Sequence, residues 1–131
     1  MATVEVKRAH DRLAGQRVLV IEDESLVTMI LEDTLAEIGC EVAGLASRLR
    51  DAVQKAQSLS FDVAILDVNL NGEQTFPIAE ILIDRGIPFV FATGYGSASL
   101  PAPLQAVPVL QKPFEQRDLE IALCAALSVK A

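Results

Sequence analysis

Short apolar runs that alternate with stretches of helical spacing constrain the fold of this chain more than any other feature. The runs are too short for typical helices and end in polar or turn residues, as expected for strands buried on both faces of a sheet. The predicted strands cover residues 17–21, 41–46, 63–67, 87–92 and 107–111. Strands that alternate with helices form a parallel sheet with helices on both faces. The pattern therefore predicts an α/β fold with a doubly wound, five-stranded parallel sheet.

The segments between these runs carry apolar residues at helical intervals. Ser25 and Ser47 are predicted to cap the first two helices, and Thr75 to open the third. The inward stripe of the first helix is predicted to consist of Val27, Ile30, Leu31, Thr34, Leu35 and Ile38. A final helix is predicted over residues 115–129.

Two regions depart from this regular pattern. Residues 1–15 are expected to be a flexible or helical lead-in, and residues 16–131 to form the folded domain. In residues 97–106, Pro101 and Pro103 are incompatible with an ordinary helix. The fourth helix is therefore expected to be short or irregular.

Length, charge and cysteine content exclude several classes of protein. A chain of 131 residues forms one domain. Its net charge of −7 argues against nucleic-acid binding, which needs clustered Lys and Arg. Cys40 and Cys124 have neither metal-site spacing nor the density of a disulfide scaffold. No run approaches the roughly 18–20 apolar residues that cross a membrane, and no signal peptide is recognisable. We expect a cytoplasmic protein without membrane insertion.

Polar side chains that follow the predicted strands are expected to share one edge of the sheet, because ligands bind at the carboxyl ends of parallel strands. Glu22 and Asp23 follow the first strand, and Asp67 ends the third. Thr93 follows the fourth strand, and Lys112 the fifth. Three neighbouring carboxylates require a cation. Since the ligands are oxygens, Mg²⁺ is the natural choice, with Mn²⁺ as the alternative.

Taken singly, each of these residues has a plainer interpretation. Glu22 and Asp23 suit the first turn of a helix, where acids interact favourably with the helix dipole. Asp67 precedes an Asn/Gly turn, Thr93 precedes a glycine, and a lysine before proline is usually on the surface. Their convergence in one cleft favours a functional site over four coincidences.

Four motifs, each at a strand end and in this order, resemble those of the receiver domain of two-component response regulators. They are Ile21-Glu22-Asp23-Glu24, Ile65-Leu66-Asp67-Val68-Asn69, Ala92-Thr93-Gly94 and Gln111-Lys112-Pro113-Phe114. The resemblance extends over residues 17–127. It implies the flavodoxin-like (CheY-like) receiver fold and a role as a phosphoacceptor signalling protein. Enzymatic activity would be limited to slow self-phosphorylation from small donors and autodephosphorylation.

The resemblance also implies roles for individual residues. Asp67 would be the phosphoacceptor, attacking the phosphohistidine of a sensor histidine kinase or a histidine phosphotransfer protein. Asp23, Asp67 and the backbone carbonyl of Asn69 would bind Mg²⁺, and Glu22 would act through a metal-bound water. Lys112 and Thr93 would contact the phosphoryl oxygens.

Three positions depart from the usual receiver pattern. The first acid is Glu22 instead of Asp, the loop at 69–73 lacks the usual Met-Pro-Gly-like sequence, and Val109 occupies the place of an aromatic switch residue. Residues 88–96 resemble the signature of the FAT-GUY receivers, which are often single-domain and are associated with HWE-type histidine kinases. In this subgroup Thr93 and Tyr95 are hypothesised to form the switch.

The downstream target is unknown from the sequence. Because the chain stops after the last predicted helix, output is expected through protein contacts or as a phosphate sink. The alternative is a phosphorylation-independent pseudo-receiver, a binding module of the same fold. An aspartate-based phosphatase is disfavoured because Asn69 stands where such enzymes need a second acid.

Overall fold

The structure is a computed structural model that describes residues 12–94 and 100–130. Its seven strands are β1 (Arg17–Ile21), β2 (Glu41–Ala46), β3 (Val63–Asp67), β4 (Asn69–Leu70), β5 (Glu73–Gln74), β6 (Phe89–Thr93) and β7 (Val109–Gln111). Five of them form a parallel sheet in the order β2-β1-β3-β6-β7. The predicted five-stranded parallel sheet is therefore confirmed.

Within residues 14–94 and 100–130, four α-helices cover the two faces of this sheet: α1 (Ser25–Glu37), α2 (Leu49–Ser58), α3 (Phe76–Arg85) and α4 (Gln116–Lys130). Successive strand residues point to opposite faces, so Val20 and Ile65 pack with α1 and α4, whereas Ile21 and Leu66 pack with α2 and α3. Two apolar layers result, which confirms the doubly wound arrangement. Among the described residues, no helix has the length and apolar character to cross a membrane.

The helix caps differ from the prediction. Glu24 and Arg48 occupy the N-cap positions, and neither helix start has a side-chain cap hydrogen bond, so Ser25 and Ser47 are not caps. Ile30 is 45% exposed, although it was predicted to face inward. Each helical residue is turned by about 100° from the next, and the buried face of α1 is already set by Leu31 and Leu35. Ile30 therefore faces solvent.

Two strands begin later than predicted, at Phe89 and Val109 instead of residues 87 and 107. Pro88 and Pro108 precede them and lack the N–H that a ladder needs. The carbonyl oxygens of both prolines still accept hydrogen bonds from the neighbouring strand, since Ala64 N donates to Pro88 O and Phe91 N donates to Pro108 O. β7 lies at the edge of the sheet, where a neighbouring proline is tolerated.

The sequence reading missed a small hairpin after β3, in which β4 and β5 pair antiparallel. Asn71 and Gly72 form its tip, with φ values of 53° and 85°. Positive φ at both central residues is the geometry of a two-residue hairpin, and Asn-Gly is its strongest sequence signal. The same Asn-Gly signal also fits an isolated turn, so the short strands on either side of it were not predicted.

The prediction of an irregular fourth helix is confirmed for the part that the structure describes. Ala102–Leu104 form a single turn of 3₁₀ helix, and the flanking Leu100 and the terminal Leu104 are buried beside α3 and the sheet. Residues 95–99, including Tyr95, lie outside the described residues, as do residues 1–11 of the predicted lead-in.

Cys40 is predicted to resist thiol reagents. It is buried, its thiol donates to Leu13 O, and burial raises its pKa from 9.0 to about 11. Two pKa units lower the thiolate fraction at pH 8 by about a hundredfold. In a Cys124→Ser variant, the reaction with a chromogenic disulfide should be at least about a hundredfold slower for the folded protein than for the urea-unfolded chain. Equal rates would contradict the buried position of Cys40.

Candidate functional site

Three carboxylates meet at the carboxyl edge of the sheet. β1 and β3 are adjacent and parallel, and Ile21 pairs with Leu66, so the residues that follow, Glu22 and Asp67, lie side by side. Asp23 comes next along the chain. Each of the three acids contributes an oxygen to a group whose members all lie within 4.8 Å of one another. The strand register thus produces a compact acidic cluster.

Lys112 joins this cluster from the end of β7. Its Nζ lies 2.7 Å from Glu22 Oε2 and 3.0 Å from Asp67 Oδ2. The side chains of Lys112, Glu22 and Asp67 are 18%, 1% and 10% exposed, so both ion pairs are largely shielded from water. The backbone N–H of Lys112 donates to Thr93 O, which fixes the start of the lysine loop against β6.

Burial shapes the electrostatics of the cluster. It raises the pKa of Glu22 to about 7; the hydrogen bond from Lys112 opposes this rise and the neighbouring Asp67 adds to it. Burial alone would lower the pKa of Lys112, but its bonds to Glu22 and Asp67 outweigh that effect, so the pKa is raised. One ammonium, which pairs with two of the three acids, leaves the site with an excess of negative charge.

Asp67 is held at both its carboxylate and its backbone. Oδ1 accepts the backbone N–H of Asn69 at 3.0 Å, and Oδ2 accepts Lys112. The buried hydroxyl of Thr75 donates to the carbonyl oxygens of Asp67 and Val68, and Thr75 N also donates to Val68 O. Sequence reasoning placed Thr75 only at a helix start, because no local pattern signals a bond that returns across the hairpin.

Thr93 and Asn69 lie beside the cluster. Ala92 pairs with Asp67 across β6 and β3, so Thr93 is the next residue beyond the acid, and it is buried. A cavity of about 450 Å³ is lined by Asp67, Thr93, Asn69 and Lys112 together, and Asp23 borders it. The structure therefore brings together all the site residues predicted from the sequence except Tyr95, which is not among the described residues.

Asn71 is a site neighbour that the sequence reading did not single out. Its backbone N–H donates to Asp23 Oδ2 at 2.9 Å, and its side-chain amide donates to Ser47 O at 2.9 Å. It thereby connects the hairpin tip with the loops after β1 and β2. The Asn-Gly tip was the available signal, but the partners are 48 and 24 residues away in sequence.

Comparison with known proteins identifies the family. The family model for the response regulator receiver domain matches residues 18–124. This chain belongs to the response regulator receiver family. Receiver domains are signalling proteins that histidine kinases phosphorylate, and they bind Mg²⁺ at an acidic pocket. The donor set fits such an ion, since Glu22, Asp23 and Asp67 offer only carboxylate oxygens, the ligands that Mg²⁺ prefers.

Curated relatives agree with this assignment. This receiver is 34% identical over 122 residues to the transcriptional regulatory protein PdtaR of Mycobacterium tuberculosis, covering 90% of this chain and 60% of that protein. It is 38% identical over 90 residues to the chemotaxis protein CheY of Thermotoga maritima, covering 66% of this chain and 73% of CheY. The chain thus spans about 60% of the length of PdtaR.

Solved receiver structures share the fold. SdrG from Sphingomonas melonis Fr1 is 41% identical with a TM-score of 0.78, and the match covers 88% of this chain and 98% of SdrG. The receiver domain of PhyR from Erythrobacter litoralis is 27% identical with a TM-score of 0.77, covering 89% and 93%. The receiver resemblance inferred from the sequence motifs is confirmed.

Proposed function

We propose that Asp67 accepts a phosphoryl group from the phosphohistidine of a sensor histidine kinase or a histidine phosphotransfer protein, in a Mg²⁺-dependent reaction. The observation that carries this proposal is the position of Asp67, a carboxylate at a strand end in a cavity that it shares with Thr93 and Lys112, next to two further acids. An oxygen of Asp67 attacks phosphorus. The new P–O bond forms as the P–N bond of the phosphohistidine breaks, and the electron pair of the P–N bond leaves with the imidazole nitrogen.

The surrounding residues hold the reacting groups. Asp23, Asp67 and the Asn69 carbonyl would bind Mg²⁺ or Mn²⁺, and Glu22 would act through a bound water. When bound, the ion would offset the negative charge of the phosphoryl oxygens. Lys112, whose Nζ lies 3.0 Å from Asp67 Oδ2, would pair with a phosphoryl oxygen on the same carboxylate. The Thr93 hydroxyl, in the same cavity, would donate to another.

We propose that the phosphorylated protein signals through contacts with other proteins or acts as a phosphate sink. The signature at residues 88–96 points to an HWE-type kinase as the partner. We propose that Thr93 moves toward the phosphoryl group and that Tyr95 and residues 97–106 reorganise with it, since Val109 offers no aromatic ring. Backbone chemical shifts that stay constant from Thr93 to Val107 on phosphorylation would rule this out.

The proposal is tested by labelling with a small acyl-phosphate donor. We expect intact mass to show one added phosphoryl group in the presence of Mg²⁺, and labelling to fall by at least about a hundredfold after chelation, because Lys112 alone offsets only part of the negative charge that repels the donor. Equal labelling with and without Mg²⁺ would contradict the metal role.

One observation favours the second candidate, a pseudo-receiver that binds partners without taking phosphate. Lys112 lies closer to Glu22 than to Asp67, at 2.7 against 3.0 Å, so Glu22 competes for the lysine. A glutamate at this position is also one of the three departures from the usual receiver pattern. Absence of labelling by both a small donor and a kinase would favour this function.

A further inference from the structure

The three acids of the cluster are compensated in different ways. Lys112 bonds to Glu22 and Asp67. Within residues 12–94 and 100–130, the hydrogen-bond partner of the Asp23 side chain is the backbone N–H of Asn71, and no ammonium or guanidinium pairs with it. The hairpin tip therefore holds the one acid that the lysine does not reach.

Asn71 is itself fixed from several sides. Its φ of 53° lies in the left-handed region, which Asn tolerates better than most residues. Its side-chain amide donates to Ser47 O, and Gly72 N donates to Asn69 Oδ1 at 2.8 Å. Leu70, next to the tip, is only 1% exposed and anchors the hairpin in the core. The N–H that faces Asp23 is thus held rigidly.

This arrangement leaves room for a cation. An ionised carboxylate has two oxygens and about four acceptor directions, so one bond from Asn71 does not saturate Asp23. A hydrogen bond that fixes the Asp23 carboxylate before the ion binds reduces the conformational entropy that this side chain loses on binding. Asp23 is partly exposed, so without this bond its side chain would be free to turn toward water.

From these contacts we infer that Asn71 is a positioning residue for the cation site, which holds Asp23 in the acidic cluster through its backbone N–H and ties that N–H to the loop after β2 through its side chain. The inference rests on the proposed function, because it concerns the Mg²⁺ site assigned there. It adds a residue that reaches the acidic cluster through Asp23.

Two variants separate the roles of the Asn71 backbone and side chain. Asn71→Gly keeps the left-handed backbone and the N–H but loses the bond to Ser47 O. Asn71→Ala also loses that bond and disfavours the left-handed conformation. By calorimetric titration with Mg²⁺, the dissociation constant should rise about threefold in Asn71→Gly and about tenfold in Asn71→Ala. The graded order tests whether the orientation of the N–H is what matters.

The control is Ser47→Ala, because Asn71 bonds to the backbone carbonyl of Ser47, and the exposed Ser47 side chain makes no hydrogen bond with the described residues. Its Mg²⁺ affinity should equal that of wild type. Urea unfolding without Mg²⁺ provides a second readout. Asn71→Gly should bind Mg²⁺ more weakly while its midpoint falls only slightly, because one exposed hydrogen bond is lost. A merely structural role would lower the midpoint and leave the Mg²⁺ affinity intact.

Each outcome decides the inference. Unchanged affinity in Asn71→Gly and Asn71→Ala overturns it while the proposed function stands. If Asn71→Ala does not fold, Asn71→Gly decides alone, and wild-type affinity in that variant overturns the inference. A wild-type protein that binds no Mg²⁺ overturns the metal-dependent function and this inference together.

Discussion

Asp67→Asn is expected to abolish phosphoryl acceptance from both a small acyl-phosphate donor and a histidine kinase. The amide that replaces the carboxylate is not a nucleophile and cannot form the acyl phosphate. Asparagine is nearly isosteric and can still accept the Asn69 N–H through its oxygen. Loss of one bond to Lys112 is offset by relief of repulsion with Glu22 and Asp23, so the unfolding free energy should change by about 1 kcal/mol or less. Intact mass and urea unfolding measure the two quantities.

Asp62→Asn is the matched control for this variant. Asp62 lies just before the other end of β3, where it accepts bonds from the backbone N and the guanidinium of Arg17. The same substitution there should leave phosphoryl acceptance at the wild-type level. If Asp67→Asn still acquires a phosphoryl group at the wild-type level, another residue is the acceptor, and the proposed role of Asp67 is wrong.

Lys112→Met is expected to destabilise the metal-free protein by about 3 kcal/mol. Removing one partner of a buried ion pair leaves the other charge uncompensated, which typically costs about 3–5 kcal/mol. Here the change leaves Glu22 and Asp67 without their shared ammonium, in side chains only 1% and 10% exposed. Because Lys112 is itself 18% exposed, the lower end of that range applies. Urea unfolding in the presence of a chelator measures the loss.

Added Mg²⁺ should restore part of this stability, and the gain should exceed that of wild type, because the ion supplies the missing positive charge. Lys55→Met is the control. Lys55 pairs with Asp51 one turn away on α2, and the two side chains are 34% and 47% exposed. An exposed pair of this kind contributes about 0.5 kcal/mol. Similar losses in both variants would show that the Lys112 pairs are no more protected from solvent than the Lys55 pair.

Much of the fold was predictable because its signals are local. The β-branched runs at Arg17–Ile21 and Val63–Asp67 and the helical spacing of Leu31 and Leu35 each lie within a few residues. The errors arose where tertiary contacts outweighed a local signal. Ser25 and Ser47 suit helix starts by residue type, yet Glu24 and Arg48 take the N-cap positions, because strand ends and helix packing decide where each helix begins.

The candidate site was predictable for a different reason. Once the strands are parallel, their carboxyl ends must share one edge, so Glu22, Asp67 and Lys112 meet although they are up to 90 residues apart. Topology alone brings these positions together, and residue type supplies the chemistry.

The sequence by itself therefore determined the order of elements, the parallel sheet and the set of polar residues at its carboxyl edge. Only the tertiary structure decided which atoms bond there: Lys112 to Glu22 as well as Asp67, and Asn71 to Asp23. The physical reason is the sequence distance over which each interaction acts. Backbone propensity and apolar periodicity act over neighbouring residues, whereas hydrogen bonds between loops depend on strand register and on the tip of the hairpin, which are fixed only when the whole core packs.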